Sequence, residues 1–272
     1  MIIFDIGSNT LNFTQACLSE YAQDTKIVVV EPNKECFESL YEENRDLLFG
    51  IEYKAVGAVA KKDQDFNVSV QDGISTMSED FMARSRFFKG NRIILGSYLE
   101  LLQEQNREKG YMGGVDPLIK KIKEGFGSLE NWSVMQTKGT YSKTSVDVIT
   151  LDMLVEKYGN PDLIKLDIEG YEHEALKGLT EKQGEISFEW SEETFDLTVK
   201  CINRLESLGY KEFGIIGFFE EGHPSQITLE EKGGDNYLRR PDEYYSAEVL
   251  IGAMKPYIKE GRRINWGMVW AK

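Results

Sequence analysis

Ile2-Ile3-Phe4-Asp5-Ile6-Gly7-Ser8-Asn9 and, twenty residues on, Ile27-Val28-Val29-Val30-Glu31-Pro32-Asn33 are the stretches that decide the fold. Each is a short apolar run that stops abruptly, the first at a glycine turn and the second at an acid followed by proline. The residues between them suffice for one crossover helix. Strand, glycine turn, helix, then a strand ending in an acid is the opening of a nucleotide-type Rossmann unit.

The turn narrows the ligand. A dinucleotide fingerprint places glycines at the first, third and sixth positions so that backbone can approach a pyrophosphate. Those positions here are Gly7, Asn9 and Asn12, so only the first is glycine. Asp5 adds a carboxylate, which repels phosphate and welcomes a cation. S-adenosylmethionine, with an ammonium and a sulfonium and no phosphate, suits such a turn. Glu31 stands 24 residues after Gly7, where an acid accepts hydrogen bonds from ribose hydroxyls.

Asp162-Leu163-Ile164-Lys165-Leu166-Asp167-Ile168-Glu169-Gly170 is the second informative stretch. A central parallel strand is buried on both faces and reads as a continuous apolar run. Lys165, Asp167 and Glu169 break that rule at alternate positions, so they share one side while the chain is extended. They fall at the carboxyl end of the strand, where open α/β sheets bind ligands. The plain alternative is a structural Lys-Asp pair with Glu169 opening the next helix.

Around these stretches the pattern is regular. The first crossover helix is expected over 10–22, packing Leu11, Ala16 and Leu18, and Asn33 or Asn9 is the candidate helix cap. A third strand is expected over 53–60, with an added strand and turn through Asp65–Gly73. About sixty residues then break the rhythm, carrying a capping box at Ser97-Tyr98-Leu99-Glu100 and a helix start at Asp116-Pro117. Arg84, Arg86, Lys89 and Arg92 make a local basic excess that reads most simply as solvated surface. Further strands are expected at 146–151, 162–170, 186–190, 213–218 and 265–271, with helices ending at Tyr158, over Phe195–Leu208 and near Ser246–Met254.

Composition sets limits. The chain has 272 residues, enough for one domain with decorations, and 41% are hydrophobic, enough for a real core. Thirty-two Lys and Arg against 46 Asp and Glu leave a net charge of −14, which argues against a nucleic-acid partner. Cys17, Cys36 and Cys201 make no CxxC and no disulfide framework, so a reducing compartment is expected. Two separated histidines, His173 and His223, give no zinc spacing, and the metal expectation is none, although Asp167 and Glu169 have the oxygen chemistry of a hard-cation site. No apolar run approaches the roughly 18 residues of a membrane span. Met1 leads straight into the first strand without a basic and apolar leader, so the expectation is a cytoplasmic chain with no membrane partner.

Taken in order, Phe4-Asp5-Ile6-Gly7-Ser8-Asn9, Glu31-Pro32-Asn33, Thr150-Leu151-Asp152 and Lys165-Leu166-Asp167-Ile168-Glu169-Gly170-Tyr171-Glu172 resemble the FkbM-like methyltransferases. Gly73-Ile74-Ser75-Thr76 looks like that family's small turn after the third strand. The resemblance covers roughly residues 2–77 and 146–190. It implies a class I methyltransferase Rossmann-like α/β fold: one domain over 1–272 with a mostly parallel seven-stranded sheet flanked by helices. Residues 78–145 depart from the pattern and are expected to form a helical insertion after strand three, a lid or substrate wall. It also implies methyl transfer from S-adenosylmethionine to a hydroxyl of a sugar, glycan or related small molecule. On that basis Asp5, Gly7, Ser8 and Asn9 hold the methionine end, Glu31 and Pro32 the ribose, and Ala58 and Val59 the adenine, with Asp72 in reach of its amine. Asp167 or Glu169 is the base, and Lys165 orients it or stabilises developing negative charge. His173, four residues beyond Glu169, is the rival base, and Trp190, Trp266 and Trp270 are candidates to stack on a sugar or to pack the core. A nicotinamide-dependent oxidoreductase and a silent binding module are the competing functions on this fold; the missing glycines count against the first and the intact acids against the second.

Overall fold

The computed structural model describes residues 1–21, 24–33, 41, 44–69, 75–84, 120, 124, 141–218, 230–231, 238–258 and 266–272. Strand β1 (Ile2–Ile6) and strand β2 (Lys26–Val30) pair in parallel, Phe4 opposite Val28 and Ile6 opposite Val30. Ile3, Phe4, Ile6 and Ile27 through Val30 are buried almost completely. β-branched residues at this density suit a strand covered on both faces.

Helix α1 (Asn12–Glu20) crosses between them and buries Phe13, Thr14 and Cys17. The expected contacts through Ala16 and Leu18 are only partial. The difference arises because the helix starts at Asn12, after Leu11 adopts a left-handed backbone (φ 61°) and sinks into the core.

The remaining elements follow in chain order: β3 (Gly50–Glu52), β4 (Ala55–Val56), β5 (Lys61–Ser69), α2 (Glu79–Arg84), β6 (Tyr141–Ile149), α3 (Leu151–Tyr158), β7 (Leu163–Leu166), α4 (Glu172–Lys177), β8 (Glu185–Ser191), α5 (Phe195–Ser207), β9 (Phe213–Phe218), β10 (Glu230–Glu231), α6 (Ala247–Met254) and β11 (Trp266–Ala271). The large sheet has the order β10-β9-β11-β8-β7-β1-β2-β3. All its pairs are parallel except those of β11, which is antiparallel to both β8 and β9. Strand order reverses between β1 and β7, the switch point beside which open α/β sheets bind ligands.

The expected third strand over 53–60 is corrected. Gly50–Glu52 completes the large sheet, and Ala55–Val56 leaves it to pair with β6 in a separate three-stranded sheet, β4-β6-β5. Ala55, Phe66, Val146 and Val148 close that second core, which draws the apolar Ala-Val run away from β2. The strand expected over 146–151 is likewise β6, begins at Tyr141 and belongs to this sheet. The late strands and helices agree with the sequence to within a few residues, helped by Thr150 and Ser246, whose hydroxyls cap α3 and α6.

The chain divides into two compact units, Met1–Phe81 with Lys143–Lys272, and Met82–Ser142. Most of the second, including the helix starts at Ser97 and Asp116, lies outside the described residues, as do Cys36, Asp72 and His223. No helix among the described residues is long and apolar enough to cross a membrane.

Candidate active site

One side of the large sheet carries a polar stripe across its central strands. Register places Asp5 of β1 opposite Lys165 of β7, and Lys165 opposite Ser187 of β8. One step toward the carboxyl ends, Leu166 faces Phe188, so Asp167 and Glu189 come next as neighbours.

Lys165 is the hub. It is 4% exposed, and its Nζ donates to the Gly7 carbonyl at 2.7 Å. It lies 3.3 Å from Asp5 Oδ1 and 3.5 Å from Asp167 Oδ2. The Gly7 carbonyl is its hydrogen-bond acceptor, and the two carboxylates are ion-pair contacts. Burial alone would push this ammonium's pKa down; Asp5 and Asp167 outweigh burial and hold it above its ordinary value. Asp5 is fully buried, its other oxygen accepting from Thr14 Oγ1 at 2.7 Å. The Asp5 carboxylate therefore lies inside the sheet, beside Lys165.

Gly7 has a steric reason to be glycine. Its φ is +75°, and a Cβ would sit 1.8 Å from the Asp167 carbonyl oxygen. The turn that follows uses its own N–H groups. Gly7 N and Ser8 N donate to the Val30 carbonyl at 2.9 and 3.4 Å, and Leu11 N donates to the Ser8 carbonyl at 2.7 Å. Asn9, at φ 38°, donates its N–H to Glu31 Oε2 at 3.1 Å. The Ser8 hydroxyl is buried against the Tyr41 hydroxyl.

Glu31 follows β2 and is 6% exposed. Its second oxygen accepts from Asn33 N at 2.8 Å, so both oxygens are oriented by backbone while retaining further lone pairs. Burial raises this carboxyl to about 7, against the opposing pull of the two N–H groups.

Beyond β7 the chain turns sharply at Ile168-Glu169-Gly170. Glu169 has a left-handed backbone, φ 55°, a conformation that costs ~1–3 kcal/mol and persists only where the surroundings impose it. Thr76 Oγ1 donates to the Glu169 carbonyl at 2.8 Å, and Glu172 Oε1 accepts from Ile168 N and Gly170 N at 3.0 and 3.2 Å. Glu172, itself buried, is raised to about 7 by that burial, with Asp167 adding to the effect.

This turn brings three acids together. Asp167, Glu169 and Glu189 each place one carboxylate oxygen within 4.8 Å of the others. Oxygens so spaced suit a hard cation, and Lys165 lies beside Asp167. Residues 5–212 match the family model of the Methyltransferase FkbM domain. The chain belongs to the FkbM methyltransferase family. No curated protein and no solved structure matches it.

Within this FkbM domain the sequence-derived residues separate. Asp167, Glu169 and Lys165 lie together at the exit of β7, and Gly7, Asn9 and Glu31 lie together at the exits of β1 and β2. Pro32 sits partly buried beside Glu31. Ala58 and Val59 occupy the bend after β4, with Val59 61% exposed, and Asp72 is outside the described residues. His173 sits among Glu174, Lys177, Lys200 and Arg204; burial, then Lys177, lowers its pKa. Trp190 and Trp270 are core residues, whereas Trp266 is 37% exposed.

Glu189 was missed. Its signal was present in Ile186-Ser187-Phe188-Glu189-Trp190, where polar residues alternate with apolar ones in a strand covered on both faces. Glu172 was quoted only as part of a motif, yet it pins the turn that carries Glu169.

Proposed function

We propose that this methyltransferase uses S-adenosylmethionine and methylates a hydroxyl of a sugar, glycan or related small molecule. One observation carries the cofactor choice. Gly7 and Ser8 have committed their N–H groups to Val30, Asn9 to Glu31 and Leu11 to Ser8, so these four offer no cradle for a pyrophosphate. Beside them Glu31 presents an oriented, buried carboxylate, the partner a ribose diol requires. Asp5 plays no part in the discrimination, because Lys165 balances its charge.

S-adenosylmethionine, held by Glu31 and the turn after β1, would supply a methyl group on sulfonium for displacement by the acceptor oxygen, with the thioether as leaving group. The residues manage the proton and the alignment. An alcohol is scarcely ionised near neutral pH, so a base must take its proton as the new bond forms. Asp167 is that base, at the switch point and 24% exposed in its side chain. Lys165 lies 3.5 Å from its Oδ2 and orients it. Glu169, presented on its pinned turn, borders the same place.

Incubating the protein with methyl-labelled S-adenosylmethionine and a panel of sugars and glycans tests the reading. Label in a base-stable ether of one acceptor, lost in Asp167→Asn, is the expected result. Label confined to amines or carboxylates, or undiminished in Asp167→Asn, overturns it.

A further inference from the structure

The turn after β7 is gripped from two sides. Asp167 N donates to the Ile6 carbonyl at 3.1 Å, and Ile168 N and Gly170 N donate to Glu172 of α4. The other grip is Thr76, which is 1% exposed. Its hydroxyl donates to the Glu169 carbonyl and accepts from Ser78 N, both at 2.8 Å. Its backbone is fixed in turn, Thr76 N donating to the Asn67 carbonyl and the Thr76 carbonyl accepting from Asn67 N, each at 3.0 Å. Asn67 belongs to β5, an edge strand of the three-stranded sheet. Farther along, Ser78 Oγ accepts from Phe81 N at 3.0 Å. Phe81 lies so close to the turn that a Cβ on Gly170 would come within 2.7 Å of its own Cβ. Residues 76–81 therefore meet the turn at Glu169 and Gly170, the two residues with left-handed backbones, φ 55° and 83°. A glutamate keeps that conformation only under constraint, and Thr76 is bonded to it.

We propose, on the reading of Asp167 as the base with Glu169 beside it, that Thr76 is a positioning residue. Its hydroxyl holds Glu169 in the left-handed turn and so keeps the Glu169 carboxylate where Asp167 meets the acceptor. Backbone dihedrals set the direction of the Cβ. An extended or right-handed Glu169 would carry its carboxylate away from Asp167 and Glu189, whose oxygens lie within 4.8 Å of it. Glu172 does not suffice, because it binds the N–H groups on either side of Glu169 and leaves the Glu169 carbonyl to Thr76. The contact depends on a donor: serine would supply it, whereas valine keeps the shape without it. The three-stranded sheet thereby gains a part in the site. It supplies none of the three clustered acids, yet through Asn67 it anchors the residue that shapes their turn. Support of this kind, from side chains that never touch the substrate, is what holds a reacting constellation to its geometry.

The first readout needs no acceptor. Glutamate side chains of the full chain are labelled with ¹³C, and the Glu169 carboxyl resonance is identified by its loss in Glu169→Gln. We expect it to move by more than its linewidth in Thr76→Val and to return in Thr76→Ser. The Glu31 resonance, identified likewise in Glu31→Gln, should stay in place. A Glu169 resonance unmoved in folded Thr76→Val, or a Thr76→Ser that behaves as Thr76→Val, overturns the proposal. A shift shared equally with Glu31 overturns it too, because it marks a general loosening. If Thr76→Val does not fold, Thr76→Cys, whose thiol is a weak donor, takes its place. The second readout is turnover of the panel sugar or glycan that takes label in the wild type, measured below the melting range of every variant. In Thr76→Val kcat should fall by about 10–10²-fold, the scale of an ångström's misplacement, and recover in Thr76→Ser. S-adenosylhomocysteine affinity should hold throughout. Full turnover beside a moved Glu169 resonance overturns the positioning role. Full turnover in Asp167→Asn, with the Glu169 resonance still moving and recovering, keeps the hold of Thr76 on Glu169 and removes the base reading alone.

Discussion

The two ends of the polar stripe are built from the same residue types and do opposite things. At the inner end Asp5 and Lys165 are enclosed, 0% and 4% exposed, and their charges cancel within hydrogen-bond reach of Thr14 and Gly7. At the outer end Asp167, Glu169 and Glu189 are only partly buried and bring three carboxylate oxygens within 4.8 Å of one another. A closed pair holds strands together. A half-open group of acids at a strand end is placed for chemistry. Charge in a buried strand therefore marks function where it opens at the strand end.

That contrast can be broken from the outer end first, with the largest effect. Asp167→Asn should lower turnover by about 10²–10⁴-fold, or about 2.7–5.4 kcal/mol. S-adenosylhomocysteine affinity should stay near wild type, because the amide keeps the shape. His173→Ala, set among α4 and α5 cations, should cost far less. A dead His173→Ala beside an active Asp167→Asn would exchange their roles.

Breaking the inner end should show first as stability, with a further loss of rate because Lys165 also holds Asp167. Lys165→Met leaves Asp5 buried without its counter-charge and should cost about 3–5 kcal/mol in chemical denaturation. A loss under about 1 kcal/mol would mean that the pair contributes no more than an exposed one.

Glu172 sharpens the comparison through pH. Its carboxyl is raised from 4.5 to about 7, so in that window the folded chain keeps a proton that the unfolded chain releases. Stability from this group is present below 4.5 and is lost as pH rises through about 7. Glu172→Gln, whose amide oxygen still accepts from Ile168 and Gly170, should flatten the fall in unfolding free energy over that window by up to about 3 kcal/mol. An unchanged pH slope would contradict the assignment.

The smallest effect concerns Glu31. Glu31→Ala should weaken S-adenosylhomocysteine binding by about 1.5–3 kcal/mol, the size of a lost charge-assisted hydrogen bond. In the wild type the affinity should decline as pH falls below about 7, where Glu31 takes a proton and loses acceptor strength. Affinity that is flat across that pH range in the wild type would place the ribose elsewhere.

Much of this was legible because it is local. Ile27 to Val30 ending at Glu31, and charges at alternate positions of a buried strand, state strand ends and facing directions in the residues themselves. The swerve of Ala55–Val56 was not legible, since that apolar run suits either sheet, and only Val148 and Ile149, some ninety residues away, decide between them. The partner of Asp5 was not legible for a similar reason: Lys165 is 160 residues distant and supplied by a neighbouring strand. Glu189 belongs with it, as a lone acid whose meaning comes from the register between β7 and β8. Local chemistry shows in a sequence; charge balance between strands depends on pairing.

The central claim is that the Gly7–Leu11 turn and Glu31 receive an adenosyl cofactor without phosphate. Calorimetric titration of the full chain with S-adenosylhomocysteine, and separately with NAD, tests it most directly. The account predicts saturable heat from S-adenosylhomocysteine, reduced in Glu31→Ala, and none from NAD. Saturable NAD binding with no heat from S-adenosylhomocysteine would contradict it.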